Sequence, residues 1–189
     1  MVEYRAVQTF ELQPVTGVGR PAAGETRPSP FDRLFADEYA KVASIARRVL
    51  GDPSAAEDVA QEVFLDLHRR FGDDPGANAP AWLRTAAAHT ALNKIRTDRR
   101  RATREERYAR QPKAVEDPTS AVEAAETGQT IRDALARIPK RHATVLALRY
   151  SGLSYAEMSS ALGIGVNAVG TRLRRAEARL RKEIEHASS

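Results

Sequence analysis

The sequence predicts an all-α protein made of two small helical domains joined by a flexible linker. Apolar residues recur at steps of three and four over several stretches, which is the spacing of an amphipathic helix. No stretch alternates or continues as a convincing β-strand would. Between the helical parts, residues 103–129 carry basic residues first and acidic residues second, and such segregated charge is typical of a solvated linker. We therefore expect domains at residues 31–102 and 130–186.

The composition excludes several classes of function. The 189 residues include no cysteine, which excludes disulfides, thiolate zinc sites and thiol catalysis. The 4 histidines are scattered, and neither a zinc-protease motif nor a phosphate-binding glycine loop is present. We therefore expect no catalytic residue, no metal and no cofactor. The net charge of +5 favours a polyanionic partner. Without a membrane-spanning run or a signal peptide, a cytoplasmic protein with no membrane insertion is expected.

The first domain is predicted to contain three helices that follow a flexible arm. Residues 1–30 are rich in proline and small residues and have no helical period, which predicts the arm. Helical spacing over residues 31–50 predicts the first helix, which Gly51 ends. Ser54 and Glu57 fit a capping box that opens a second helix, to about Phe71, with an acidic outer side.

A turn-rich loop over residues 72–80 leads to the third helix, predicted from Ala81 to about Arg101. Trp82 is expected in the core rather than stacked on a nucleic-acid base. The second half of this helix is strongly basic. A fourth segment begins the second domain at Thr130, and Pro139 suits the start of the helix that follows it.

The stretch from Leu153 to Arg175 predicts a helix-turn-helix. Ser154 and Glu157 fit a capping box, and Gly163 supplies the positive φ of a sharp helix end. The helix after the turn carries one inward apolar stripe: Val166, Val169, Leu173, Ala176, Leu180 and Ile184. The side chains that fall away from this stripe are small, polar or basic: Asn167, Ala168, Thr171, Arg172 and Arg175. In a DNA-binding helix-turn-helix, such a helix enters the major groove.

The basic and the acidic surface each have an alternative interpretation without a binding role. An ordinary helical hairpin with a solvated basic face would give a similar pattern at the end of the chain. Small polar residues at the start of the second helix favour groove binding, since a solvated face more often carries long Glu and Lys pairs. The acidic side of the second predicted helix could also be merely solvated, but on a basic chain it favours a protein partner over DNA.

Two separate signatures resemble bacterial sigma factors of the extracytoplasmic-function (ECF) class. The first is AEDVAQEVF at residues 56–64, which is similar to the core-polymerase-binding helix of sigma region 2. The second runs from Ile138 to Leu173 and resembles sigma region 4. Between them, the predicted third helix is similar to the helix that reads the −10 promoter element. The resemblance covers about residues 31–184 and implies a promoter-specificity subunit of RNA polymerase that promotes DNA melting and is not an enzyme.

The resemblance also implies roles for individual residues. Core polymerase, through the clamp helices of its β′ subunit, is expected to contact Asp58, Gln61, Glu62 and Leu65. The −10 element is expected to contact His89, Asn93, Lys94, Arg96, Arg99 and Arg100. The −35 element is expected to contact Asn167, Ala168, Thr171, Arg172 and Arg175. The loop at residues 72–80 is expected to capture a flipped base, and the helix near residues 140–150 to lie against the β flap. An anti-sigma factor is expected as a further partner.

This sequence departs from the family pattern at three positions. Gly165 stands where a serine usually opens the recognition helix, and Gly170 stands where Lys or Arg is common. His89 replaces the asparagine that is most common in the −10 helix. The departures leave −35 affinity and −10 base preference open. Two alternative functions also stay open: a sigma-like mimic that titrates an anti-sigma factor, and a conventional helix-turn-helix regulator.

Overall fold

The computed structural model describes residues 28–108 and 120–187. Side chains are described for these residues except at 106–108 and 120–125. Over these residues the chain forms seven α-helices and no strand, so the predicted all-α class is confirmed. The arm predicted at residues 1–30 lies outside the described residues except for its last three positions. The helices are α1 (Pro30–Leu50), α2 (Pro53–Phe71), α3 (Ala79–Tyr108), α4 (Ser120–Arg137), α5 (Lys140–Tyr150), α6 (Tyr155–Leu162) and α7 (Val166–Ala187).

Helices α1, α2 and α3 form a bundle around the first part of the core. Val42, Ile45 and Val49 of α1 are fully buried, and Val63 and Leu67 of α2 meet them from the other side. Burying one such side chain contributes about 1.5–3 kcal/mol relative to leaving it in water. Helix α1 ends as predicted, at a glycine with a left-handed backbone (φ 74°).

The start of α1 is fixed by contacts that were not predicted, although Ser29 and Asp32 have the spacing of a capping box. The Ser29 hydroxyl accepts a hydrogen bond from the Asp32 amide at 3.0 Å, and the Asp32 carboxylate accepts one from the Ser29 amide at 2.8 Å. This is a capping box, in which two free amides are satisfied reciprocally. The Phe31 amide donates to the Asp73 carbonyl at 3.1 Å. The first turn of α1 is thereby held beside the loop that follows α2.

The capping box predicted for α2 at Ser54 and Glu57 is wrong. Helix α2 begins earlier, with Asp52 as its N-cap and Pro53 in the first turn. The Asp52 carboxylate accepts from the Ser54 amide at 2.9 Å. Proline is favoured at the first helical position because its φ already suits the helix and its missing amide is not needed there. The proline and the aspartate before it therefore outcompete the later serine.

Part of the linker predicted at residues 103–129 is helical, and its bounds stay a prediction. Helix α3 continues through Tyr108, and α4 already begins at Ser120, so helix occupies both ends of the predicted linker. The central residues 109–119 lie outside the described part. Charged side chains one turn apart stabilise a helix, as Arg101 and Glu105 do at 2.8 Å in α3.

Helices α6 and α7 confirm the predicted helix-turn-helix geometry. Ser154 and Glu157 form the capping box, and Gly163 ends α6 with a φ of 61°. Val169, Leu173 and Ala176 of α7 are buried. One apolar position differs from the prediction, since Val166 is 49% exposed. In α6, Ala156 is exposed and Ala161 is buried. Val166 opens α7 and Ala156 lies in the first turn of α6, where neither packs against the core.

The two helical units pack on each other rather than standing apart. Helix α3 contacts α4, α5 and α6 as well as α1 and α2, and the buried residues form one continuous core. A helix that is apolar all round is buried on more than one side, and Leu83, Ala87, Ala88, Ala91 and Leu92 of α3 are all fully buried. None of the helices described is long and apolar enough to cross a membrane.

Candidate functional site

The first candidate surface is the outer side of α2. Asp58, Gln61 and Glu62 are exposed, and Leu65 is 53% exposed beside them. Within the described residues, none of the three polar side chains makes a hydrogen bond or an ion pair. The acidic groups are therefore free to meet a basic partner, and Leu65 offers an apolar contact at the same place.

An aromatic cluster supports this surface from behind. The Phe64 ring, almost fully buried, lies 4.9 Å from the Phe35 ring, 6.0 Å from the Tyr39 ring and 6.3 Å from the Phe31 ring, centroid to centroid. Aromatic pairs at such distances add about 0.5–1.5 kcal/mol beyond the burial of their area. The position of α2 relative to α1 is therefore rigid, so a partner would bind its outer side without loss of helix order.

The second candidate surface lies on α7. Its members share exposure to solvent on the first three turns of the helix: Asn167, Ala168, Thr171, Arg172 and Arg175. Val169 and Leu173 alternate with them and fix the helix against α5 and α6. The residues predicted for the −35 element are thus brought together on one side of one rigid helix, which is how a recognition helix presents itself to the major groove.

Gly170 lies beside this surface, and no neighbouring atom is close enough to exclude a methyl group at this position. A methyl group added at Gly170 would sit 3.7 Å from Cε2 of Tyr155, an ordinary contact. Tyr155 is 42% exposed, and the Arg149 guanidinium lies over its ring, 5.7 Å from the ring centroid. Nothing in this geometry forces glycine at position 170.

Replacing Gly170 by alanine should therefore stabilise the protein by about 0.5–1 kcal/mol, because alanine has the higher helix propensity. Urea unfolding of Gly170→Ala and of the unchanged protein measures the difference. A lower free energy of unfolding in Gly170→Ala would contradict the packing described here.

The third candidate surface, on α3, is only partly accessible. Lys94 and Arg100 are exposed, whereas His89, Asn93, Arg96 and Arg99 are half-buried. Arg96 is already engaged, since its guanidinium donates to the Ala136 carbonyl at 3.2 Å and to the Ile138 carbonyl at 2.9 Å. The residues predicted for the −10 element are therefore on one helix, but the second helical unit covers part of them.

His89 lies at this covered part of α3. Its Nδ1 atom is buried and has no hydrogen-bond partner within the described residues. Burial, and then the positive charges of Lys140 and Arg96, lower the pKa of His89 to about 4. The imidazole is therefore neutral at neutral pH, and its protonation would add a third positive charge to this place.

Lowering the pH from 7 to 5 should destabilise the protein by ~1–2 kcal/mol through His89. Because the folded pKa is depressed, the unfolded chain takes up the proton first. The stability that the neutral His89 side chain contributes is complete above about pH 6.5 and is lost as the pH falls toward 4. Urea unfolding at both pH values should show a smaller loss for His89→Asn than for His186→Asn, which changes an exposed histidine of α7. Equal losses in both variants would contradict this assignment.

A buried ion-pair cluster joins the two units beside the α3 surface. The Arg84 guanidinium donates to the two Glu38 oxygens at 2.7 and 2.8 Å and lies 3.1 Å from a Glu157 oxygen. Lys41 adds a second cation to Glu38 at 2.8 Å. Burial alone would raise the pKa of Glu38, but the Arg84 and Lys41 contacts outweigh it and hold the pKa below its usual value. The cluster ties α1, α3 and α6 together.

The sequence prediction missed this cluster, although a signal was present. Arg84 and Thr85 interrupt a largely apolar stretch of α3. The apolar residues of this stretch are spread around the whole helix, so no continuous polar side remains. A charged residue inside such a stretch is seldom buried without a partner, so a carboxylate from another helix could have been sought. Glu38 was the less visible partner, because it lies among the alternating polar positions of α1.

Comparisons with known proteins agree with both units. Residues 34–101 match the family Sigma-70 region 2, and residues 128–180 match the family Sigma-70, region 4. ECF RNA polymerase sigma factor SigK of Mycobacterium sp. (strain KMS) is 29% identical over 150 residues, which cover 76% of this chain and 77% of SigK. RNA polymerase sigma-H factor of Pseudomonas aeruginosa is 28% identical over 179 residues, which cover 89% of this chain and 92% of that protein.

A third relative and two solved structures complete the comparison. ECF RNA polymerase sigma factor SigW of Bacillus subtilis is 28% identical over 163 residues, covering 76% of this chain and 83% of SigW. CnrH, solved in complex with the cytosolic domain of CnrY, has a TM-score of 0.49 at 22% identity. The match covers 82% of this chain and 88% of the CnrH chain. RpoE from Bartonella quintana, solved in complex with the anti-sigma factor NepR, has a TM-score of 0.46 at 19% identity. The match covers 82% of this chain and 96% of the RpoE chain.

The two family matches span more than half of the chain, and they occur in the order of the two helical units. The relatives extend across both units rather than across one of them. The chain therefore belongs to the extracytoplasmic-function class of RNA polymerase sigma factors.

Proposed function

We propose that three surfaces of this sigma factor divide its task between them. The protein binds core RNA polymerase, directs it to promoters through the −10 and −35 elements and promotes melting and transcription initiation. The order of the region 2 and region 4 matches supports this function most directly. We assign region 2 to residues 31–102 and region 4 to residues 130–186.

The outer side of α2 binds core polymerase in this proposal. Asp58, Gln61, Glu62 and Leu65 are exposed together on it, and the polar groups have no internal partner among the described residues. Carboxylates that are free of internal ion pairs need no rearrangement before they meet the basic clamp helices of β′. The rigid aromatic backing at Phe64 keeps the four side chains in fixed relation.

The exposed side of α7 reads the −35 element. Asn167, Ala168 and Thr171 are short enough to let the helix backbone approach base edges, and Arg172 and Arg175 reach phosphates or guanine edges. The rigid turn at Gly163 sets the angle between α6 and α7. The contact with the β flap is assigned to the end of α5, where Tyr150 is 54% exposed, because residues 143–148 of this helix are buried.

The α3 helix, with the loop at residues 72–80, engages the −10 element. Lys94 and Arg100 are exposed and Arg99 is half-exposed, and such cations bind phosphates whatever the sequence. His89, Asn93 and Arg96 lie on the same helix toward the second unit. Capture of a flipped base costs a few kcal/mol, which stacking and a pocket must offset.

The proposal includes three further points. The protein has no catalytic residue, metal or cofactor of its own, and it acts in the cytoplasm, where RNA polymerase is found. Among the described residues, no group of histidines and carboxylates is arranged to hold a metal ion. An anti-sigma factor is the expected regulator, and its binding would have to cover at least one of the three surfaces.

Run-off transcription with purified core polymerase tests the function. We expect transcripts from a defined set of promoters when genomic DNA is the template and the products are sequenced. A conventional helix-turn-helix regulator would bind DNA alone and give no transcript with core polymerase. A sigma-like mimic would bind an anti-sigma factor but would direct no initiation.

Arg172→Ala should weaken promoter binding by the holoenzyme roughly 10- to 100-fold, because one base or phosphate contact is worth about 1–3 kcal/mol. If the lost contact is to a phosphate, the slope of log affinity against log salt should also fall by about 0.9. Arg181→Ala removes the same charge from an exposed position farther along α7 and serves as the matched control. Equal losses for both variants would show a general charge effect instead of a −35 contact.

A further inference from the structure

We propose that a basic cleft between the two helical units binds a small oligophosphate, that is, a short chain of linked phosphate groups. The cleft has a volume of about 830 Å³ and is lined by the second half of α3, the end of α4 and the start of α5. Sites for small ligands typically have about 300–1,000 Å³. We call it the α3–α5 cleft.

The charges that line the α3–α5 cleft all have one sign. Within the described part of the chain, its charged residues are Arg96, Arg99, Arg100, Arg104, Arg137 and Lys140. A cleft lined by charges of one sign focuses their field and raises the local concentration of the opposite ion. Of these cations only Arg137 has a carboxylate nearby among the described residues, Glu183 at 3.8 Å. The others are not neutralised by the protein itself.

Holding these cations together has an electrostatic cost. Burial, and then the positive charge of Arg96, lower the pKa of Lys140. Burial, and then the positive charge of Arg100, lower the pKa of Arg96. A bound anion would relieve this repulsion, because it would attract the cations of α3 and Lys140 at the same time.

The backbone positions these cations and adds donors of its own. The Arg96 guanidinium donates from Nε and Nη2 to the Ala136 and Ile138 carbonyls at 3.2 and 2.9 Å, which leaves Nη1 without a partner among the described residues. Helix α5 has Pro139 as its N-cap and no side-chain cap, so its first amides are unsatisfied next to Lys140. Unsatisfied amides at the N-terminus of a helix add to the attraction for an anion that the cations already exert.

The spread of the cations determines the kind of anion. Arg96 and Arg104 lie two turns apart on α3, which is about 12 Å along the helix axis. One phosphate cannot contact both ends of this row, whereas several linked phosphates can. Among the described residues, no aromatic side chain lines the cleft, so a nucleobase has no ring on which to stack. The site should therefore recognise the phosphate chain and not a base.

The cleft is distinct from the three surfaces proposed above, although it shares residues with one of them. Arg104, Arg137 and Lys140 belong to none of the three surfaces. The other cations belong to the proposed −10 surface, so oligophosphate and promoter DNA would compete for them. Only this competition rests on the proposed function; the binding itself does not.

Calorimetric titration of the full-length protein with sodium tripolyphosphate, at constant ionic strength, tests the site. We expect saturable binding of one tripolyphosphate per chain. Inorganic phosphate should bind roughly tenfold more weakly or worse, because it reaches only part of the row of cations. ATP should bind within about threefold of tripolyphosphate, because its base finds no stacking surface.

Lys140→Gln and Arg104→Gln remove one cation from each side of the cleft. Each should weaken tripolyphosphate binding roughly tenfold or more, since each removes a charge-assisted contact. Arg141→Gln is the matched control, because it removes the same charge from an exposed neighbour on α5 that does not line the cleft. It should change the affinity by less than about threefold, because salt screens an exposed charge. Urea unfolding without ligand checks that each variant is folded.

Four outcomes would overturn the proposal. The first is the absence of saturable binding. The second is a loss in Arg141→Gln as large as that in Lys140→Gln, which would show a general charge effect. The third is ATP binding more than about tenfold tighter than tripolyphosphate, which would show that the site recognises a base. The fourth is equal binding of a short oligothymidylate, which would show a nucleic-acid surface.

Nuclear magnetic resonance of the histidines gives a readout that locates the anion. Lys140 and Arg96 both contribute to the low pKa of His89, so its ring lies in the field of these two cations. At neutral pH the His89 ring signals should shift when tripolyphosphate is added, whereas those of His186, in the last turn of α7, should stay unchanged. Shifts at His186 alone would place the anion elsewhere and contradict the site. No polymerase is present in these measurements, so they can succeed even if promoter-dependent transcription fails, and the reverse.

Discussion

Asp58→Arg is expected to reduce the affinity for core RNA polymerase about 100-fold or more, because a like charge placed against a basic surface costs several kcal/mol. Asp58 is exposed and makes no internal contact among the described residues, so the change should leave the free energy of unfolding almost unaltered. A titration of labelled sigma factor with core polymerase measures the affinity, and urea unfolding checks the stability.

Asp37→Arg makes the same change of charge on an exposed turn of α1. It should bind core polymerase much as the unchanged protein does. Unaltered affinity in Asp58→Arg would remove α2 from the proposed polymerase surface. A similar loss in both variants would show that total charge, rather than this helix, governs the association.

Arg84→Met should lower the free energy of unfolding by about 3–5 kcal/mol, because it leaves the Glu38 carboxylate buried without its main partner. Both side chains are almost inaccessible, at 10% for Arg84 and 6% for Glu38. Lys41, at 49% exposure, would still reach Glu38 but cannot replace a bidentate guanidinium. Thermal unfolding should shift downward by on the order of 10 °C for a protein of this size.

The double variant Arg84→Met with Glu38→Leu should recover most of this loss, since it removes the unpaired buried charge together with its partner. Arg101→Met is the control, because it breaks the ion pair with Glu105 at a side chain that is 75% exposed. That change should cost less than about 1 kcal/mol. If Arg84→Met were no more harmful than Arg101→Met, the buried cluster would not hold the units together.

Apolar spacing predicted most of the fold because the core residues of each helix obey it. In the predicted stripe of α7, Val169, Leu173 and Ala176 are buried. The helix ends at Gly51 and Gly163 carry the positive φ that glycine permits. The family was likewise recognisable from short stretches whose order and spacing are specific. Periodicity located the outward side of α7, whereas the roles of the site residues came from resemblance and remain predictions.

Local competition explains the errors at the helix ends. Ser54 with Glu57 and Asp52 with Pro53 both offer a start for α2, and propensity alone does not rank them. The helical ends of the predicted linker were not foreseen, because segregated charge is compatible both with a solvated chain and with an exposed helix, as Arg101 and Glu105 demonstrate.

The packing of region 4 on region 2 could not be predicted from local pattern. It depends on residues far apart in the chain, such as Thr85 with Ala161 and Arg84 with Glu157. Neither residue of a pair indicates its partner by type or spacing. The one available hint was that α3 has no polar side along its apolar stretch, which requires neighbours around the whole helix.

The bond from the Phe31 amide to the Asp73 carbonyl fixes where the polypeptide ahead of Pro28 departs. That point lies next to the loop proposed to hold an extruded base. A bulky fluorescent label attached at Pro28 would therefore crowd the single-stranded DNA of an open promoter. The same addition after α7 would emerge at the far end of the last helix, and it is the better choice for functional assays.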